Sequence, residues 1–185
     1  MTELDQAFES TLTVLTTVKR SQLDASTPCA SWDVRALINH FVGTARWWAS
    51  TVTVAGEGEI ADADYASGDF VAAYKESIQI AVTAFEADGV LEKRVTLPFG
   101  EFPGAVVRGF AALDQFAHGW DLARAIGHRT DLDPGLAAGL LSQSRTAITG
   151  ALRGPDGQAP FGPVLQAPAA AGPADQLAAF LGRPV

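Results

Sequence analysis

The sequence predicts an all-α protein, a bundle of four main helices with a short extended segment and a decorated C-terminal third. Three observations carry this. Apolar residues recur at helical spacing through long segments. Those segments are separated by cap residues, glycines and prolines. The 185 residues are enough for one core and few for two, so residues 1–185 are read as a single domain.

Taken in order, residues 3–22 form the first amphipathic helix, with Leu4, Ala7, Phe8, Leu12, Leu15 and Val18 at helical spacing. Thr27-Pro28-Cys29-Ala30 is a turn, and Ser31 is the expected N-cap of the second helix, with Asp33 in its first turn. That helix covers 32–54 and turns Val34, Leu37, Ile38, Phe41, Ala45, Trp48 and Val52 inward. A loop at 55–68 leads to the third helix, 69–88, stopped by Gly89. Residues 91–97 alternate weakly and read as a short strand or an extended connection. The fourth helix runs from 103 to Gly127. Asp133-Pro134, a cap followed by proline at the first helical position, opens a fifth helix reaching about 152. The Gly-, Pro- and Ala-rich stretch 153–173 lies against the body, and a short last helix covers 174–181.

Composition narrows the function classes. With 48% hydrophobic and 18% charged residues the chain folds rather than staying disordered. Its 13 basic residues are outnumbered by 21 acidic ones and are scattered, which argues against nucleic acid and against an anionic membrane as partners. No apolar run reaches spanning length, and the acidic start MTELDQAFES is unlike a signal peptide, so a cytoplasmic location is expected. The single Cys29 excludes an internal disulfide and a cysteine zinc finger. It is read as a buried, inert thiol near the start of the second helix, not a metal ligand.

The fourth helix carries the chemistry. Asp114, His118 and Asp121 fall inside its apolar arc, among Val107, Phe110 and Ala117. A carboxylate brought into apolar surroundings needs a partner, a proton or a cation. Asp114 and His118 stand four apart on one face, a spacing that suits one divalent ion and equally an ordinary ion pair. Of the three histidines, His40 and His118 lie near the middles of helices expected to face each other, which favours the metal reading. His128, just after Gly127, reads as a solvated residue at a helix C-terminus. Asp121 is expected to meet Arg124 or another arginine, or to orient a ligand. Trp47, Trp120 and Phe110 either fill the core or wall a pocket.

The segment TPCASWDVRALINHFVGTARW resembles the second-helix motif of the DinB-like, mycothiol-dependent maleylpyruvate isomerase N-terminal superfamily. RVTLPFGEFPG, LDQFAHGWDLARAIG, ALRGPDGQAPFGPV and LAAFLGR resemble a subfamily described only as metal-binding proteins. The resemblance covers nearly the whole chain. It implies a DinB-like four-helix bundle with metal ligands His40, Asp114 and His118. The isomerase itself is similar but has a glutamate at the position of Asp114 and a further C-terminal domain. The shorter aspartate changes ligand reach without removing the site.

Three protein ligands leave coordination open for water or substrate, the pattern of a catalytic metal. The implied metal is divalent, zinc first, with nickel or manganese as alternatives, and the implied cosubstrate is mycothiol. The expected function is a thiol-dependent transferase or isomerase, acting with a small-molecule thiol and an electrophilic substrate. A metal-dependent hydrolase and a non-catalytic metal- or ligand-binding module are the alternatives, and the oligomeric state stays open, a homodimer among the options.

Overall fold

A computed structural model describes residues 1–53, 63–155 and 158–185. Residues 55–62 of the expected loop at 55–68 lie outside the described residues. Within them the protein is mostly helical, with six α-helices and one two-stranded sheet: α1 Glu3–Leu15, α2 Val34–Thr53, α3 Phe70–Glu86, β1 Arg94–Leu97, β2 Gly100–Pro103, α4 Gly104–Ala125, α5 Pro134–Ala147 and α6 Pro173–Phe180. No helix among the described residues is long and apolar enough to cross a membrane.

Several boundaries differ from the sequence reading, each for a local reason. Helix α1 opens on a capping box between Thr2 and Asp5, but it ends at Leu15 rather than near 22. There the hydroxyls of Thr16 and Thr17 bond back to the carbonyls of Thr13 and Val14. The amides of Thr17 and Val18 take three-residue bonds, which tighten and close the helix. Helix α2 starts at Val34 and is capped by Asp33, whose carboxylate accepts from the Ala36 amide at 2.8 Å; Ser31 is not the cap. The turn before it is held by the Thr27 hydroxyl, which donates to the carbonyls of Cys29 and Trp32. Helix α5 stops at Ala147 instead of about 152, where the β-branched pair Ile148-Thr149 adopts extended backbone.

The weakly alternating segment at 91–97 contains β1, and its partner β2 is a strand the sequence reading did not separate. The two pair antiparallel from Arg94↔Pro103 to Leu97↔Gly100, burying Val95 and Leu97. Helix α4 follows β2 directly, so the hairpin is fixed at its start. Gly127, at φ 71°, ends the α4 segment in the left-handed backbone that glycine tolerates.

Helix α1 packs along α4, α2 packs on both α3 and α4, and α5 packs on α6. The core is one cluster that includes Phe8, Phe41, Tyr74, Phe116 and Trp120. The stretch 153–173 is tied to α6 by Arg153, which donates to the carbonyls of Gly162 and Phe180, and by the Leu165 amide bonding Ala179.

The α1–α4 contact is close because residue 119 has no side chain. A Cβ there would collide with the Thr11 hydroxyl and stand 3.0 Å from its Cβ and 3.2 Å from its Cα. An ordinary mid-helix Gly→Ala change gains about 1 kcal/mol. Gly119→Ala is expected to reverse that sign and destabilise by about 1–3 kcal/mol through overpacking. Urea melts measure it, and a variant at least as stable as wild type would show that the two helices have room to part.

Candidate metal centre at the floor of a cleft

Between residues 111 and 123 of α4, only Leu113, Asp114 and His118 keep partial access; the rest are buried. All three open onto the same cleft of about 1410 Å³. The helix thus shows one window, and two of its three residues are potential ligands.

Asp114 occupies the centre of that window, 17% exposed. Its Oδ2 accepts from the Thr44 hydroxyl (2.9 Å), the Trp48 indole (3.2 Å) and the Gln115 amide (3.1 Å). These bonds fix the carboxylate and turn Oδ1 toward two imidazoles. His118 Nδ1 lies 3.2 Å and His40 Nε2 3.6 Å from Oδ1. His40 projects from α2 and His118 from α4, and their ring centroids are 4.5 Å apart. Trp32 stacks over both rings, 4.3 Å from His40 and 5.7 Å from His118.

His118 Nδ1 also donates to the Asp114 carbonyl at 2.8 Å. A carbonyl only accepts, so the proton sits on Nδ1 and the lone pair of the neutral ring belongs to Nε2. His40 Nε2 is buried and has no hydrogen-bond partner among the described residues. That orphaned nitrogen, pointing into a group of donor atoms, is what a cation would satisfy. One ligand atom each from His40, Asp114 and His118 lies within 4.8 Å of the others. Donors of a tetrahedral zinc stand about 3.3–3.5 Å apart, so modest side-chain movement suffices and the residues fit a divalent ion.

The electrostatics describe the protein without metal. Burial would push the Asp114 carboxyl up, but the His118 ring against Oδ1 and the positive charge the two imidazoles can carry hold it well below the usual range. Burial would also lower His118, yet Asp114, then Cys29 and Asp121, raise it to about 10. His40 is lowered, first by burial and then by the charge of His118. The Asp114–His118 pair is therefore ionic, and His40 stays the neutral member of the group.

A second donor group, Cys29, His118 and Asp121, shares His118. Both oxygens of Asp121 are already taken by Arg183, whose Nε lies 2.9 and 3.0 Å from them and whose Nη2 lies 2.9 Å from Oδ2. The first group is the open one. The sequence expectation for Cys29 needs correction, because the thiol is only partly buried. It lines the cleft and donates to Asp121 Oδ2 at 3.2 Å, since the turn before α2 packs against α4 instead of folding beneath it. Asp121 meets an arginine, as one of the sequence alternatives has it, and that arginine is Arg183 across the fold rather than Arg124 on its own helix.

Of the three aromatic residues considered as walls, only Phe110 lines the cleft. Trp47 stacks on Trp48, and Trp120 is core, donating to Asp175. The walls are completed by Phe99 and Phe102 from the hairpin and by Trp32 and Trp48. His128 is partly exposed, and its ring meets the Arg129 carbonyl. Sequence reasoning also missed Thr44, Gln115 and Arg183. Asp121 in an apolar arc was the available signal that an arginine had to come from somewhere.

A family model described as mycothiol maleylpyruvate isomerase N-terminal domain matches residues 4–183. Two relatives from Mycobacterium tuberculosis, in strains CDC 1551 / Oshkosh and ATCC 25618 / H37Rv, are each 37% identical over 184 residues. The match covers 97% of this chain and 95% of each relative, and both carry the name uncharacterized protein. No solved structure matches the chain.

Two outcomes follow from the charges. Removing Arg183 leaves Asp121, 0% exposed, as a buried uncompensated carboxylate. Arg183→Ala should cost roughly 3–5 kcal/mol, and the double variant Asp121→Asn, Arg183→Met much less. Equal losses in denaturant melts would refute that. In chelated protein, the stability that His118 draws from its raised pKa is complete below about pH 6.5 and lost as pH rises toward about 10. The melting temperature should fall over that window in wild type and stay nearly level in Asp114→Asn.

Proposed function

We propose, from the premise that this chain belongs to the mycothiol maleylpyruvate isomerase N-terminal domain family, that it is a metal-dependent enzyme joining a low-molecular-weight thiol to an electrophile. The observation that carries the reading is the orphaned His40 Nε2 beside Asp114 and His118 at the floor of an apolar cleft. His40, Asp114 and His118 are the proposed ligands, zinc the first metal and nickel or manganese the alternatives. A divalent ion bound there supplies Lewis acidity that favours the thiolate of a coordinated thiol. The thiol proposed is mycothiol, and the reaction a transfer or isomerisation through thiol addition.

The chain's own residues set the conditions. Thr44, Trp48 and Gln115 hold Asp114 with one oxygen toward the histidines. The Asp114 carbonyl fixes the His118 tautomer. Trp32, Phe99, Phe102 and Phe110 make a wall that takes an apolar substrate body and excludes water from the reacting end. Helices α1 to α4 are the proposed DinB-like bundle and the chain a single domain. The compartment proposed is the cytoplasm, where small thiols stay reduced.

The test is metal analysis of protein purified without a nickel column, followed by thiol consumption with and without an electrophile. Wild type should hold about one ion per chain and convert the electrophile only when the thiol is present, consuming the thiol in a transfer and regenerating it in an isomerisation. His118→Ala should lose metal affinity by more than about 100-fold and all turnover with it. Ester hydrolysis without thiol would instead identify a hydrolase, and tight metal without turnover a binding module. No bound metal and an unchanged melt on chelation would leave the Asp114–His118 pair as an ion pair alone.

A further inference from the structure

Resting on the reading of the cleft as a substrate site, its lining also says what kind of molecule it takes. The charged side chains that line it are Glu3, Arg108, Asp114 and Arg183, besides the two histidines. Three have partners: Glu3 accepts from Gln143, Asp114 is held by its donors and the histidines, and Arg183 grips Asp121. Arg108 is different. It is partly buried, and no hydrogen bond, ion pair or ring contact engages it among the described residues. In a chain of net charge −8 an arginine has many carboxylates available. One that lines a mostly apolar cleft, partly buried and unmatched among the described residues, is a cation that an anionic ligand in the cleft can pair with.

The apolar lining of the same cleft gives the rest of the ligand. The rings of Phe99, Phe102 and Phe110 form one aromatic cluster, with centroids 5.1–5.9 Å apart. Phe99 is 51% exposed at the hairpin turn and Val106 41% exposed at the start of α4, so this wall has no cover among the described residues. Arg108 precedes Asp114 by six residues, about 9 Å along the helix axis. A ligand that meets both ends therefore has its charge remote from the metal ligands, with an apolar stretch between.

We propose that the cleft takes an amphiphilic acid, its apolar body seated on Phe99, Phe102 and Phe110 and its carboxylate paired with the Arg108 guanidinium. The planar fork of arginine matches a carboxylate through two parallel hydrogen bonds. In the proposed reaction this group belongs to the electrophile, and Arg108 selects for it without touching the reacting atoms.

The experiment uses calorimetric titration of chelated and dialysed protein with 4-phenylbutyrate and with its neutral amide, so that no metal competes for the acid. The acid should bind at least ~10-fold more tightly than the amide in wild type. Arg108→Gln should erase the difference while leaving amide binding unchanged, and Phe110→Ala should weaken both ligands alike. Equal binding of acid and amide, an unaffected Arg108→Gln, or no binding of either overturns the proposal. Arg108 holds no other residue, so Arg108→Gln should melt with wild type. Should it unfold, Arg108→Lys, which keeps the charge and loses the fork, decides by a reduced preference. Because metal and thiol are absent, these outcomes are separate from those of the metal analysis. Acid selectivity without bound zinc, or bound zinc without acid selectivity, tells the two readings apart.

Discussion

Because the middle and C-terminal half of α4 are enclosed on nearly every side, the adjacent polar residues Asp114 and Gln115 have to find their partners inside the protein. Gln115 is 0% exposed and uses its whole amide. Its nitrogen donates to the Phe41 carbonyl, the Thr44 hydroxyl and Asp114 Oδ2, and its oxygen accepts from the Tyr74 hydroxyl at 2.7 Å. Its carbonyl accepts from Thr11 on α1 at 2.8 Å. One residue of α4 thereby contacts α1, α2 and α3 by hydrogen bonds. Burial pushes the Tyr74 phenol up, which keeps it a donor. Removing any member would leave the others unsatisfied at a cost of about 1–3 kcal/mol each.

The same network positions the site. Thr44 and Gln115 belong both to the layer that joins the helices and to the shell that holds Asp114. The carboxylate is oriented by the packing of the core rather than by a mobile loop. With three donors on one oxygen, the other is left for the histidines, and the helix pairing α2–α4 that brings His40 to His118 is the pairing that Gln115 ties. Precision at the candidate site and integrity of the fold are supported by the same bonds.

This explains what was legible in the sequence and what was not. Helices α1, α2, α3 and α4 could be placed because their apolar residues repeat at helical spacing, and the ends that were missed were decided by single hydrogen bonds, such as Asp33 capping α2 in place of Ser31. Asp114 and His118 announced themselves as polar residues inside an apolar arc, and His40 through the scarcity of histidine. The supporting residues gave no such signal. Trp48 sits on the inward face of α2, and only the structure shows that its indole serves Asp114. Thr44 and Gln115 look like minor interruptions of an apolar pattern. Arg183 is 62 positions from Asp121, and periodicity within a helix has no access to such a pair. The second strand was missed because β2, Gly100-Glu101-Phe102-Pro103, has no buried face to alternate.

Between residues 111 and 123, α4 has no solvated face other than the cleft window on which to carry polar residues idly. Each one then requires a partner, and the kind of partner separates structural from functional residues. Gln115 and Asp121 are fully matched by the protein itself, through the interhelical layer and through Arg183. Asp114 and His118 are matched only halfway, with Oδ1 facing two imidazoles and His40 Nε2 left without a bond. The same criterion applied at the cleft rim separates Glu3, satisfied by Gln143, from Arg108, satisfied by nothing described. His40 and Arg108 lie along one cleft, and there a ligand can complete what the fold leaves open.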